Sequence, residues 1–433
     1  MKIIVFVRLY NDIDHVLPIV DYLVRKKSLY VEIYGIGEKY LECTEHIRYL
    51  KDVLHIDIVN FEENYYTRTH RSLLNISEIL KLKKITISNK VVYFFAKFIA
   101  SNLKVAIYSV LSKPYRKFID TNKHDTTVMI DYGTEARFPY NSIIRSCNKH
   151  NLKVIAYLHG YYVFYNSDSI FLQQNTSKLL AKYLNKLLKG NYGKDVYFNK
   201  YLVGPHQINT FFRSPLYFGF TKYDRVVEIG IPRFTYEWGN IFVNDLSNKH
   251  CNKIHELKKY KKNINVVFFM SNAKFNVNVD ILRDVVLSLA GLANINFLIK
   301  PHTRSGVSGL GYDNQTILDK ISTCNSSQLI DWCDISIVYG TSIAFEVLTK
   351  GKVLVVPKFI DSNITIYEKE QVCIAVNDIY ELLKVFNSEF IELKKPEQSR
   401  IDSFVKSHIY GGYNSYESLM DVFCKNIIKK DIC

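Results

Sequence analysis

Short apolar runs recur along this chain. Each is stopped by Gly, Pro or a polar turn, and most are followed by a stretch with the 3.6-residue apolar period of a helix. In the first part the runs are Lys2–Val7, Tyr30–Tyr34, Val53–Val59, Thr127–Ile130, Lys153–Tyr157, Tyr201–Val203 and Val226–Ile229. Further on come Asn265–Met270, Ile295–Lys300 (INFLIK, ended by Pro301), Asp334–Val338 and Lys352–Pro357. Runs apolar at every position, rather than at every second one, are the mark of strands covered on both faces. Helices are predicted from His15, over Asn141–His150, from about Val279, and from a cap at Thr341 or Ser342 to Lys350, where Gly351 closes the turn. Strands alternating with helices predict an α/β chain with parallel sheets. The stretch Asn240–Lys262 is polar, charged and strandless, so it reads as a linker between a first domain, 1–240, and a second, 263–433. A C-terminal helix is left to fold back on the first domain. No repeat of fixed period and no low-complexity tract is present.

Composition refines this. The chain has 433 residues, 48% of them apolar, enough for two cores. A net charge of +15 points to an acidic partner. No known nucleic-acid module appears, so a phosphorylated substrate or an anionic membrane surface is the better match. The segment Val91–Leu111 is apolar and aromatic but is interrupted by Lys97 and Lys104, seven apart and therefore on one helical face. With Lys81, Lys83, Lys84, Lys90, Lys113, Arg116 and Lys117 it forms a basic helical region, 80–118, suited to lying on a membrane; a core helix of the first domain with one wet stripe fits slightly better. Lys178–Lys189 is a second basic helix of this kind. The eight cysteines show no CxxC pair and no metal spacing, and read as reduced, mostly buried thiols of a cytoplasmic protein. The opening MKIIVFVRLY reads as a first strand, not a signal peptide. It continues as RLYNDIDH, without the G-x-G-x-x-G turn of a dehydrogenase.

The chemistry concentrates between Leu298 and Pro357. Lys300, His302 and Arg304 follow one strand, read as the neighbour of Asp334–Val338. After the latter come Gly340, a turn residue, then Thr341 and Ser342, either of which fits a helix cap, and Glu346 one turn on. Backbone N–H groups at a helix start, two hydroxyls and a cationic loop make an anion site without a metal, and a helix carboxylate suits ribose hydroxyls. Ser271 and Asn272, after the first strand of this half, and Arg233, in Gly230-Ile231-Pro232-Arg233, are additional phosphate contacts, although Arg233 reads more simply as part of a turn, like Gly204-Pro205-His206. In the first half, Asp131 and Glu135 flank a glycine turn after a strand, where a catalytic base would face a cleft. His159, followed by Gly160, is a rival base. Tyr161, Tyr162, Phe164 and Tyr165 suit stacking on a sugar or packing at a hinge. Asp12 and Asp14 spell a lone D-x-D in the first loop, read as helix capping rather than metal binding.

Taken together, LHG, GPH, GIPR, IKPHTR and YGTSIAFEVLTKGKVLVVP resemble the GT-B glycosyltransferases of bacterial surface polysaccharide synthesis. The capsule and lipopolysaccharide transferases with His-Pro and Ser-Ser or Thr-Ser motifs are similar, as are the CDP-glycerol glycerophosphotransferases. Here Lys300-Pro301-His302-Thr303 replaces the usual Lys-x-His-Pro. The resemblance implies two Rossmann-like domains facing a central cleft, a nucleotide-sugar donor (CMP-, CDP-, UDP- or GDP-linked) on the second, and no metal cofactor. It assigns donor phosphate to His302, Thr341 and Ser342, and nucleotide to Glu346, with His159 as the matching first-half histidine. The implied acceptor is a glycan or lipid-linked glycan on the first domain. The implied location is the cytoplasm, peripheral on the inner face of the membrane. A polyol-phosphate transferase, a sugar-nucleotide 2-epimerase and a non-catalytic glycan-binding scaffold share these signals.

Overall fold

The computed structural model describes residues 1–80, 90–131, 135, 137–157, 163–165, 195–205, 223–246, 264–272, 277–302, 306–307, 310 and 314–428, with the backbone alone for 90–98. Twelve strands among them form two parallel sheets. The first contains β1 (Lys2–Val7), β2 (Tyr30–Gly35), β3 (Ile58–Asn60), β4 (Thr126–Asp131), β5 (Lys153–Tyr157), β6 (Lys200–Val203) and β7 (Val226–Glu228), in the order β3-β2-β1-β4-β5-β6-β7. The second contains β8 (Ile264–Phe269), β9 (Ile295–Lys300), β10 (Ile335–Val338), β11 (Val353–Pro357) and β12 (Ile374–Val376), in the order β12-β11-β10-β8-β9. Ile3 to Val7 are buried without exception, as expected of a central strand covered on both faces.

Helices framing the sheets include α1 (Tyr10–Arg25), α2 (Thr44–Asp52), α3 (Arg68–Ile79), α4 (Lys90–Thr121), α5 (Tyr140–Lys149), α6 (Tyr236–Leu246), α7 (Val279–Ala290), α8 (Ile343–Thr349) and α9 (Tyr416–Ile427). Tyr416, Leu419, Met420, Phe423 and Ile427 recur at helical spacing on α9 and are buried in the core under β1 and α1. Lys153 Nζ and Thr127 Oγ1 donate to the Ile428 and Ile427 carbonyls at 2.8 and 3.3 Å. The last helix therefore belongs to the first sheet's core, although its sequence follows the second sheet.

Several boundaries differ from the sequence reading. The run Val53–Val59 yields only the three-residue β3, because an edge strand has one neighbour and pairs only opposite Ile33–Gly35. The stretch read as a linker begins inside α6, where Trp238 and Phe242, one turn apart, pack on Tyr49. β12 escaped detection because Ile374–Val376 is too short for a periodic signal. Cys43, Cys147, Cys333, Cys373 and Cys424 are buried free thiols, but Cys324 is disulfide-bonded. The all-thiol expectation fails there because sequence spacing does not reveal which Cα atoms the fold brings within cystine range. Among the described residues, no helix is long and apolar enough to cross a membrane.

Candidate functional site

In an open parallel sheet, ligands bind at the carboxyl ends of the strands where the strand order reverses. The reversal falls between β8 and β10 in the second sheet and between β1 and β4 in the first. At the β8/β10 point, Ser271 Oγ donates to the Gly340 carbonyl at 3.1 Å, and Tyr339 Oη donates to the Ser271 carbonyl at 3.2 Å. Gly340 has φ +54°, a left-handed conformation that glycine adopts without strain. A Cβ at this position would also lie 2.5 Å from Cζ of Phe164. Thr341 and Ser342 follow, partly accessible, and α8 starts at Ile343. Ser342 is the N-cap residue but makes no side-chain cap bond, a departure from the capping expectation that leaves its hydroxyl available.

The Phe164 contact comes from the first half. Tyr165 N donates to the Ile364 carbonyl at 2.6 Å and Ile366 N to the Val163 carbonyl at 2.9 Å, so residues 163–165 form a short antiparallel clasp on 364–366. Of the aromatic run, Phe164 is therefore hinge packing rather than a free stacking face, while Tyr165 is half exposed beside Lys369. Tyr161, Tyr162, His159, His206, Arg304 and the basic stretch 178–189 lie outside the described residues.

Lys300 and His302 follow a strand two places away from the one that leads to Thr341 and Ser342. The sequence reading made β9 the neighbour of β10, but β8 lies between them, which separates the two strand ends by about 10 Å. Lys300 and His302 instead line a cleft of about 460 Å3, opposite Tyr10, Thr44, Glu45 and His46 of the first half. Ser322, Thr323 and Asn325 complete the second-half wall. Asn325 Nδ2 reaches across the cleft and donates to Glu45.

Arg233, also at the cleft, ties the halves together. Its Nε donates to Asp14 of α1 and its Nη1 to Glu346 Oε2 of α8 at 3.0 Å. His46 Nε2 lies 2.8 Å from the same Asp14 oxygen. Glu346 is buried, with Lys350 Nζ 3.9 Å from its other oxygen, and Lys350 in turn pairs with Asp331 at 2.6 Å. Burial alone would raise the Asp14 pKa, but the charge of Arg233 and the His46 bond outweigh it and hold the carboxyl well below the usual range. An ionised Asp14 makes His46 Nε2 the donor. Burial would likewise weaken the Arg233 charge, yet Asp14 and Glu346 push its pKa above the ordinary arginine range.

Sequence reasoning read Asp12 correctly: its Oδ2 accepts from the Arg8 and Leu9 amides at 2.7 and 3.0 Å. It read Asp14 as a cap as well, but Asp14 lies 200° further round the same helix and accepts from Arg233. Tyr10, Glu45 and His46 went unnoticed, because nothing in their local sequence marks a cleft wall. In the first-sheet crevice, Asp131 ends β4 and is buried, as is Glu135. Burial pushes the Tyr140 and Tyr157 hydroxyls up, with the charges of Asp12 and Asp131 adding to it, and Tyr157 Oη donates to the Phe6 carbonyl at 3.0 Å.

No family model and no curated protein matches the sequence. Similarity appears in three dimensions. A glycosyltransferase from Rickettsia africae ESF-5 superposes with a TM-score of 0.53 over 98% of each chain, at 12% identity. The glycotransferase of kitacinnamycin gives 0.52 over 98% of this chain and 99% of its own, at 9% identity. The chain has the GT-B fold. The Arg233 network joins the two halves of this fold beside the cleft.

Proposed function

We propose that this GT-B protein transfers a sugar from a nucleotide-sugar donor to a growing bacterial surface glycan, without a metal. The observation that carries this reading is the β8/β10 crevice. There a positive-φ glycine is followed by two hydroxyls that, among the described residues, make no hydrogen bond, at the strand-order reversal where open α/β sheets hold phosphates. The diphosphate is assigned to Gly340, Thr341, Ser342 and Ser271, with Asn272 alongside. The acceptor hydroxyl attacks the anomeric carbon, the bond from that carbon to the phosphate oxygen breaks, and the nucleoside diphosphate departs. Asp131 takes the hydroxyl proton, with Glu135 beside it in sequence. Glu346, occupied by Arg233 and Lys350, acts by fixing α8 rather than by contact with ribose.

A thermal-shift series with CMP, CDP, UDP, GDP and their sugar conjugates tests the donor site. At a hundredfold excess over Kd, the matching nucleotide stabilises wild type by about 2.7 kcal/mol. Thr341→Val with Ser342→Ala abolishes most of that shift. If no nucleotide raises the melting temperature, the donor assignment is lost.

The outer face of α3 and α4 supports a peripheral membrane position. Ile79 is 77% exposed, Ile99 65% and Leu103 46%, with exposed Lys113, Arg116 and Lys117 further along α4. The opposite face of α4, including Leu111, Tyr115 and Ile119, is core. Co-sedimentation with phosphatidylglycerol vesicles is expected for wild type and strongly reduced for Ile79→Glu/Ile99→Glu. Equal sedimentation of both proteins refutes the membrane face.

A further inference from the structure

Lys300 lines the cleft, partly withdrawn from solvent, with the Glu45 carboxylate in the same cleft but not at ion-pair distance. An ammonium has three N–H donors. One goes to the Cys324 carbonyl at 2.6 Å, and none reaches a carboxylate at ion-pair distance. Lys350, with its side chain 3% exposed, shows the ordinary solution, with Asp331 at 2.6 Å and Glu346 at 3.9 Å. Burial pulls the Lys300 pKa below the usual lysine range, only partly countered by the charge of Glu45. A partly desolvated ammonium with unfilled donors at the wall of a cleft is poised for an oxyanion.

The direction of the side chain separates this anion from the one assigned to the crevice. Ser322 N donates to the Ile299 carbonyl and Ile299 N to the Lys320 carbonyl, both at 2.8 Å, so residues 320–322 run along the free edge of β9. Lys300 reaches the Cys324 carbonyl just beyond them and is thus drawn away from β8 and from Gly340. Beside it stand the Ser322 and Thr323 hydroxyls. Across the cleft, Glu45 is held by the Asn325 amide, next to Thr44 and Tyr10. A fixed carboxylate accepts bonds from hydroxyl groups and repels oxyanions. The cleft is therefore polarised, with a cation on one wall and a hydroxyl acceptor on the other.

We propose that this cleft is a second substrate subsite that takes a sugar or polyol bearing a phosphate or carboxylate, its oxyanion on Lys300 and its hydroxyls toward Glu45. That the ligand is the acceptor rests on the transfer reading above; that the cleft binds a hydroxylated oxyanion does not.

Calorimetric titration of the full chain at constant ionic strength tests it, with glucose 6-phosphate, glucuronate, inorganic phosphate and glucose as probes and UDP in parallel. Glucose 6-phosphate or glucuronate is expected to bind at least tenfold more tightly than glucose. Lys300→Met should weaken the charged probe about 10–100-fold, the range for a hydrogen bond to a charged group. Glu45→Gln should weaken glucose 6-phosphate but not inorganic phosphate. Without ligand, Lys300→Met should melt no lower than wild type, since it removes a partly desolvated charge. The arms separate the phosphate from the carboxylate source, and UDP reports independently on the crevice. If UDP fails while a charged sugar binds through Lys300, the donor reading falls and the subsite stands. The subsite falls if no charged probe binds, if glucose binds equally well, or if Lys300→Met lowers the melting temperature without changing affinity.

Discussion

Arg233→Met is expected to cost about 3–5 kcal/mol of folding stability, the penalty for leaving buried carboxylates without their partner. Arg233 answers both Asp14 on α1 and Glu346 on α8, so its loss leaves Asp14 to the His46 bond and Glu346 to the more distant Lys350, and unties the halves beside the cleft. Urea unfolding of wild type and variant at neutral pH measures it. The pH dependence provides a check on sign. Asp14 has a depressed pKa in the folded state, so its contribution is fully present above its unfolded value near 4 and is lost as pH falls through the folded one. In the variant, Asp14 loses the charge that held it down and can protonate on acidification. The gap between the two proteins should therefore narrow at acid pH. Adding Asp14→Asn and Glu346→Gln to Arg233→Met should recover much of the loss. A change below about 1 kcal/mol, the level of exposed ion pairs, would mean the network is solvated and unimportant.

Asp131→Asn is expected to lower kcat about 10²–10⁴-fold, the usual contribution of a positioned general base, with little change in donor KM. The substitution keeps shape and volume at the end of β4, so the melting temperature should move far less than the rate. Glu135→Gln, made separately, distinguishes the two carboxylates. Product formation is followed by mass spectrometry, which also tells a transferred sugar from a transferred polyol phosphate. Full activity in Asp131→Asn would pass the role of base to Glu135 or His159.

These two residues had different prospects of being found from sequence. The position of Asp131 at the end of β4 was legible because a buried parallel strand is mostly apolar, and the first charged residue after the apolar run marks its carboxyl end. The same logic placed Ser271 and Gly340. Arg233 was seen only as part of a turn, since a lone arginine after Gly-Ile-Pro carries no hint of its partners. Asp14 and Glu346 stand 219 and 113 positions away from it.

What the sequence determined by itself was local: where most of the strands lie, that the sheets are parallel, and which residues follow the strand ends. Burial on both faces, helical period and turn chemistry act within a few residues and leave their mark in the order of residues. Strand order, by contrast, is a property of the assembled sheet. Only the tertiary structure placed β8 between β9 and β10, divided one apparent phosphate set into a crevice at Gly340 and a cleft at Lys300, and brought α9 back onto the first core. The cleft wall of Tyr10, Glu45 and His46 was decided there too, because charges and hydroxyls far apart in the chain acquire a shared chemistry only when packing sets them face to face.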